Sequence, residues 1–95
     1  MTAAQAHSLL VVGSVAFDSI ETPNGSVDDA LGGSATYFAC AASLFTRPRL
    51  VGVVGEDFPE EHRRLFVERG VDVSGLVAKP GKTFRWKGRY HQDVY

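Results

Sequence analysis

Two runs of aliphatic side chains, at residues 9–12 and 50–54, constrain the fold of this chain more than any other feature. Uninterrupted apolar runs of this length are typical of strands buried on both faces of a parallel sheet. Between them, Gly32 and Gly33 precede an apolar segment with helical spacing that extends to about Phe45. A helix between two buried strands is the usual parallel crossover, so the sequence predicts an α/β fold.

The other segments predict shorter elements. Residues 17–30 are more polar and are centred on Pro23-Asn24-Gly25-Ser26, which predicts a hairpin that projects from the sheet. The helix after Gly33 is apolar on all sides, which is typical of a buried helix. A second helix over residues 59–69 has Asp57 and Glu60 at capping-box spacing and ends before Gly70. A third strand is expected within residues 71–78.

Residues 83–91 alternate between two kinds of side chain. Phe84, Trp86 and Tyr90 point one way, whereas Thr83, three cations and His91 point the other way, which predicts a strand with one apolar face. A platform for single-stranded nucleic acid needs aromatic and basic groups on the same face. We therefore expect no nucleic-acid partner, and interpret this segment as a strand that covers a site or a partner subunit.

The composition excludes few functions, but it indicates the size of the domain, its partners and its compartment. The 95 residues suffice for one small domain, and a net charge of -1 gives no attraction to nucleic acid or to anionic membranes. Cys40 is the single cysteine, so no internal disulfide forms and a reducing compartment is natural. No segment is typical of a signal peptide or a membrane span. The expected location is the cytoplasm, with no membrane partner. No metal site is predicted, because neither Cys40 nor His62 has a partner at ligand spacing.

Candidate ligand groups follow the first strand. Asp18 lies just past its carboxyl end, where open α/β sheets bind ligands, and could accept hydrogen bonds from vicinal hydroxyls; it could equally be a turn residue. Gly32-Gly33-Ser34 could bring backbone and the free amides of a helix start against an oxygen-rich ligand, or be an ordinary connection. Asp57 is interpreted as a helix cap rather than a catalytic group.

Four segments are informative when they are taken together. They read Val-Val-Gly-Ser-Val-Ala-Phe-Asp at 11–18, Leu-Gly-Gly-Ser-Ala-Thr-Tyr-Phe-Ala at 31–39, Val-Gly-Val-Val-Gly-Glu-Asp at 51–57 and Gly-Val-Asp-Val-Ser-Gly-Leu at 70–76. In this order and spacing they resemble the start of pfkB-type, or ribokinase-like, carbohydrate kinases. The resemblance implies an α/β sandwich, a parallel sheet with helices on both faces, and a small β lid. It also implies transfer of the ATP γ-phosphate to a hydroxyl of a sugar, nucleoside or related polyol.

The resemblance assigns roles to particular residues. Asp18 would bind substrate hydroxyls, and Gly32 and Gly33 would bring the backbone against the substrate, with Ser34 and Tyr37 beside them. The lid would lie within about 17–31 and 83–95, and would include Phe84, Trp86 and Tyr90. In several relatives the lid also forms a homodimer.

Departures from the family pattern bear on the substrate. Many relatives have asparagine where this chain has Ala16 and Tyr37, and many sugar-binding members have glycine at the position of Glu60. The loss of two amide side chains argues against ribose, and the flat ring of Tyr37 favours a nucleoside or a cyclitol.

The family's catalytic aspartate lies in a Gly-Ala-Gly-Asp type motif that this sequence lacks. The chain is therefore expected to be the amino-terminal part of a single ribokinase-like domain, with no catalytic residue of its own. ATP and Mg²⁺ would be bound mainly by the later half. We expect no kinase activity from this chain alone, and low stability, because its sheet is incomplete and one side lacks cover.

Two other functions stay open at this point. A dinucleotide-binding domain shares the α/β pattern, but Gly13-Ser14-Val15 is not a Gly-x-Gly-x-x-Gly turn into a helix. A non-enzymatic module that dimerises through Phe84, Trp86 and Tyr90 is the second alternative. It predicts a stable dimer without a small-molecule ligand.

Overall fold

The structure, a computed structural model, describes residues 8–91 and is built from two three-stranded sheets and two helices. The α/β class predicted from the sequence is confirmed. In chain order the elements are β1 (Ser8–Val12), β2 (Ala16–Thr22), β3 (Gly25–Gly32), α1 (Ser34–Ala42), β4 (Arg47–Val54), α2 (Glu60–Glu68), β5 (Asp72–Ala78) and β6 (Arg85–Arg89).

The parallel sheet has the strand order β1-β4-β5, and both of its strand pairs are parallel. The two aliphatic runs of the sequence form adjacent strands, with Val11 opposite Leu50. Both helices and all three strands contribute to one buried cluster. Its most deeply buried side chains include Ala39 of α1, Leu50 of β4 and Phe66 of α2, each with 0% exposure.

The opposite face of the parallel sheet is open in the described residues. Side chains alternate along a strand, so the neighbours of the buried positions point away from the helices. Four of these are substantially exposed aliphatic residues: Leu10, Val12, Val53 and Val77. In residues 8–91 the helices therefore cover one face of the parallel sheet, whereas the family pattern has helices on both faces.

Helix α1 differs from the prediction in length and in burial. It ends at Ala42 rather than near Phe45, and backbone hydrogen bonds from Phe45 and Thr46 to the Ala42 carbonyl close a turn there. Its buried positions are Ala35, Thr36, Ala39 and Ala42, whereas Phe38 is 57% exposed. The expectation of an all-round buried helix is wrong for residues 8–91, because α1 packs through only one side.

Helix α2 ends as predicted but begins differently. Gly70 adopts a φ of 83°, and its neighbour Val71 donates to the Phe66 carbonyl, which closes the helix with a left-handed residue. The predicted capping box is wrong, because Pro59 is the N-cap residue and no side chain caps the helix. The Asp57 carboxylate points elsewhere, toward the segment that leads into β6.

The hairpin sheet, with the strand order β3-β2-β6, contains the predicted hairpin. Strands β2 and β3 are antiparallel and Pro23 and Asn24 form the turn between Thr22 and Gly25. Strand β6 joins the other edge of β2 in parallel. The hairpin follows β1 where a dinucleotide-binding domain would have a helix, which argues against that alternative. Neither helix of the described part is long enough to cross a membrane.

Candidate functional site

Asp18 and Gly32 form the centre of the candidate site. They lie on neighbouring strands of the hairpin, where Asp18 pairs with Ala30 and Ala16 pairs with Gly32. A Cβ atom built on Gly32 would overlap the Asp18 carboxylate. A side chain at position 32 would therefore have to displace the carboxylate. Among residues 8–91, no hydrogen bond or ion pair engages that carboxylate, so its oxygens are free to accept.

Trp86 lies beside Asp18 on the same face of the hairpin sheet. The two residues are register partners in the parallel pair β2–β6. A Cβ on Gly88 would overlap the six-membered ring of the Trp86 indole, so that ring lies over Gly88. A free carboxylate is therefore flanked by a broad aromatic surface.

The predicted alternation along residues 83–91 is present, but the two faces have unexpected surroundings. Phe84, Trp86 and Tyr90 are 64%, 46% and 46% exposed, so the apolar face is the open one. On the other face Arg85 covers the Phe17 ring, with the guanidinium carbon 4.8 Å from the ring centroid. The charged face packs on the core only at its start, where Thr83 is buried and Arg85 finds acidic partners, whereas Lys87 and Arg89 are exposed.

The start of α1 is organised by Ser14, a residue that the sequence analysis did not select. The Ser14 carbonyl accepts from the Ala35 amide at 3.0 Å, and its hydroxyl accepts from the Ser34 amide at 3.1 Å. Gly33 has a φ of 96°, and a Cβ there would overlap the Ser14 carbonyl. The expectation that these helix amides are free for a ligand is therefore wrong for Ser34 and Ala35.

Ser34 and Tyr37 lie on the first turn of α1 without contacting Asp18 through any hydrogen bond. The Ser34 hydroxyl lies 3.2 Å from that of Ser14, in an exposed position. Tyr37 donates its amide to the Gly33 carbonyl, and its side chain is 63% exposed. The structure thus joins Asp18, Gly32 and Trp86 in one surface, and leaves Ser34 and Tyr37 on a neighbouring element.

A second cluster, missed by the sequence analysis, joins Asp57, Thr83 and Arg85. One Asp57 oxygen accepts from the Thr83 amide at 2.8 Å and from its hydroxyl at 2.7 Å, and the other lies 2.8 Å from Arg85 Nη1. These Thr83 hydrogen bonds, and then the Arg85 charge, lower the pKa of Asp57 from 3.8 to about 2. The Arg85 pKa is raised, chiefly by its hydrogen bond to Asp57. The sequence signal for this cluster was weak, because Arg85 is one of three cations on the same face of the strand.

Acidic and metal-ligating side chains are dispersed. Within residues 8–91 no group of three or more His, Cys, Asp or Glu side chains could hold a metal ion. The side chains present in this part therefore do not fit an Mg²⁺ site, and we derive no chemistry from such an ion here.

Comparison with known proteins gives one consistent family. The chain is 35% identical over 86 residues to a cytidine kinase from Thermococcus kodakarensis, a match that covers 90% of this chain and 31% of the relative. No protein-family model matches the chain.

Solved structures agree with that match. A nucleoside kinase from Burkholderia thailandensis, solved with inosine, superposes with a TM-score of 0.76 at 20% identity, over 93% of this chain and 33% of that one. The Methanocaldococcus jannaschii nucleoside kinase, described as an archaeal member of the ribokinase family, gives 0.75 at 22% identity, over 93% and 34%. Aminoimidazole riboside kinase from Salmonella enterica gives 0.58 at 27% identity, over 74% and 24%.

These findings define the fold as an α/β fold of the ribokinase type. The chain is similar to the amino-terminal portion of pfkB-type, ribokinase-like kinases, which confirms the resemblance inferred from its four motifs. It spans about a third of the length of the curated relative.

Proposed function

We propose that this chain forms the acceptor-binding part of a kinase that transfers the ATP γ-phosphate to a hydroxyl of a nucleoside. The observation that carries the proposal is the free Asp18 carboxylate, held against Gly32 and flanked by the Trp86 ring. Sugars and cyclitols are the other acceptors of the same chemical class.

The chemistry of this surface suits a nucleoside. A carboxylate with free oxygens accepts hydrogen bonds from the two vicinal hydroxyls of a ribose. An indole next to it offers a flat apolar surface on which a base can stack, an interaction worth about 1–3 kcal/mol per base in other proteins. The four relatives described above are named as kinases of cytidine, a riboside or a nucleoside, which supports this choice.

The hairpin sheet would act as the lid over the acceptor. In this proposal Phe84, Trp86 and Tyr90 line the inner surface of the lid, while Ser34 and Tyr37 border the acceptor from the start of α1. Closure of a lid excludes water, which would otherwise accept the phosphoryl group.

ATP, Mg²⁺ and the catalytic base would be supplied outside residues 8–91. Phosphoryl transfer depends on positioning and on charge stabilisation around the transferred group. Two structural neighbours were solved with ADP or an ATP analogue, which supports ATP as the donor. The chain alone would then bind the acceptor without phosphorylating it, and the complete enzyme would work in the cytoplasm.

Calorimetric titration of the chain with nucleosides, pentoses and cyclitols tests the proposal. We expect saturable binding of a nucleoside, and a loss of affinity of about tenfold or more in Asp18→Asn, because a carboxylate that accepts two hydroxyls is lost. Asp28→Asn is the matched control, since Asp28 is exposed on the same hairpin. Binding that is equal in both variants, or absent from the wild type, would contradict the proposal. Phosphorylation of the same nucleoside by the native polypeptide completes the test.

A lid homodimer is a second proposal, carried by a different observation. Strand β6 is an edge strand whose outer edge is unpaired in the described residues, and Phe84 beside it is 64% exposed. Exposed apolar edge strands pair readily with a second copy. Sedimentation should show a concentration-dependent dimer that Phe84→Glu dissociates; a monomer at every concentration would exclude it. A dimer without nucleoside binding would instead favour a non-enzymatic module.

A further inference from the structure

The link between the two sheets is made by a short stretch of backbone. Gly55 follows β4, and a Cβ atom on Gly55 would overlap the backbone of residues 81–83, which lead into β6. The Glu56 amide donates to the Gly81 carbonyl at 2.9 Å, and the Gly55 amide donates to the Thr83 hydroxyl at 3.0 Å. The end of β4 and the approach to β6 are therefore in direct, hydrogen-bonded contact.

Thr83 is the buried centre of this contact. It is only 3% exposed, and its hydroxyl accepts from the Gly55 amide while it donates to Asp57. Its amide donates to the same carboxylate oxygen. Only a hydroxyl side chain can give and accept in this way, so serine can replace Thr83 and valine cannot, although valine has the same shape.

Arg85 extends the contact to the hairpin. Its guanidinium bonds Asp57 at 2.8 Å, lies 3.4 Å from Asp29 of β3 and covers the ring of Phe17 in β2. It also donates to the Thr83 carbonyl at 3.0 Å. One side chain thereby joins the β4–α2 connection to all three strands of the hairpin sheet.

The orientation of Arg85 has a consequence on the other face. Arg85 and Trp86 are consecutive in β6, so their side chains point to opposite faces. Because Arg85 is fixed against Asp57 and Phe17, the strand register places Trp86 opposite Asp18. Arg85 can therefore determine where the Trp86 ring lies, although Arg85 itself does not face the acceptor.

We propose that Asp57, Thr83 and Arg85 form a clasp of positioning residues that holds β6 in place and so sets Trp86 beside the Asp18 carboxylate. The effect on acceptor affinity rests on the proposed function, whereas the effect on the position of Trp86 does not. Loss of the clasp removes the contacts that fix the register of β6 on β2, so Trp86 can shift relative to Asp18.

Fluorine NMR of the chain labelled with fluorotryptophan tests the clasp, because Trp86 is the single tryptophan. We expect one sharp signal in the wild type and in Thr83→Ser, and a shifted, broadened or doubled signal in Thr83→Val. Thr22→Val is the matched control. It removes a hydroxyl that also bonds two backbone groups, but at the far turn of the hairpin. Its Trp86 signal should match the wild type.

Two further measurements distinguish loss of the clasp from misfolding, and failure of the clasp from failure of the proposed function. If Thr83→Val does not fold, as judged by circular dichroism, Asp57→Asn replaces it, since the Asp57 side chain is 30% exposed and the change is isosteric. Nucleoside affinity should fall about tenfold in the clasp variant and recover in Thr83→Ser. An unchanged Trp86 signal in the folded clasp variant would overturn the inference. If the wild type binds no nucleoside, the proposed function fails, and the Trp86 signal alone decides on the clasp.

Discussion

The Asp18 carboxylate occupies the space that a side chain at position 32 would fill, so any residue other than glycine there must displace it. The contact couples the candidate ligand group to the strand beside it. A close approach of this kind makes the two positions energetically dependent on each other.

Gly32→Ala should destabilise the chain by about 0.5–1.5 kcal/mol, because the added methyl group displaces the end of the flexible Asp18 side chain from its rotamer. In an Asp18→Ala background the same substitution should cost clearly less, since the obstructing group is gone. Chemical denaturation of the wild type, the two single variants and the double variant gives the coupling free energy between positions 18 and 32. Equal costs in both backgrounds would show that the contact is not tight.

Ser14→Ala should lower the free energy of unfolding by about 0.5–2 kcal/mol, the usual effect of losing a helix-capping side chain. The cap here comes from the β1–β2 connection rather than from the N-cap residue, which is Gly33. Ser26→Ala, an exposed change on β3, is the control and should be nearly neutral. Similar melting curves for the two variants would argue against the capping role.

Asp57→Asn should change how stability depends on pH. The folded pKa of Asp57 is lowered from 3.8 to about 2 by the Thr83 hydrogen bonds and by Arg85, which Asp29 also faces. The ionised carboxylate therefore stabilises the fold above pH 3.8, and this contribution is lost as the pH falls to about 2. The difference in stability between wild type and variant should shrink over that window. A difference that stays constant over that window would contradict the assignment.

Val54→Thr and Val53→Thr compare two neighbours on β4 that face opposite ways. Val54 is 2% exposed in the core, so a hydroxyl there should cost about 1–3 kcal/mol. Val53 is 60% exposed on the open face, and the same change should stay within about 0.5 kcal/mol. Thermal unfolding measures both, and a cost at Val53 equal to that at Val54 would show that the open face is covered in solution.

The chain alone should melt at low temperature and bind a hydrophobic dye such as ANS. Its open sheet face carries Leu10 and Val12, and the end of α1 exposes Leu44 and Phe45 at 78% and 88%. Large exposed apolar patches bind such dyes and reduce the apolar area buried on folding. A sharp transition at high temperature without dye binding would disprove the expected low stability.

Much of the fold followed from local chemistry. The aliphatic runs, the Asn24-Gly25 turn and the terminating Gly70 each indicate one local conformation, and all three predictions agree with the structure. The family motifs in turn selected Asp18 and Gly32, which the structure brings together. Sequence sufficed here because strand period, turn geometry and helix ends depend on residues that are neighbours in the chain.

Tertiary structure decided the remaining features. The Asp57–Glu60 spacing predicted a helix cap, but Asp57 instead binds Thr83 and Arg85. The apolar sides of α1 predicted full burial, but burial depends on which elements cover a helix. The pairing of β6 with β2, which places Trp86 opposite Asp18, has no local signal either. Partners far apart in the chain are chosen by packing and by competition among hydrogen-bonding groups, so the sequence determined the elements and their motifs, while only the folded chain determined which groups meet.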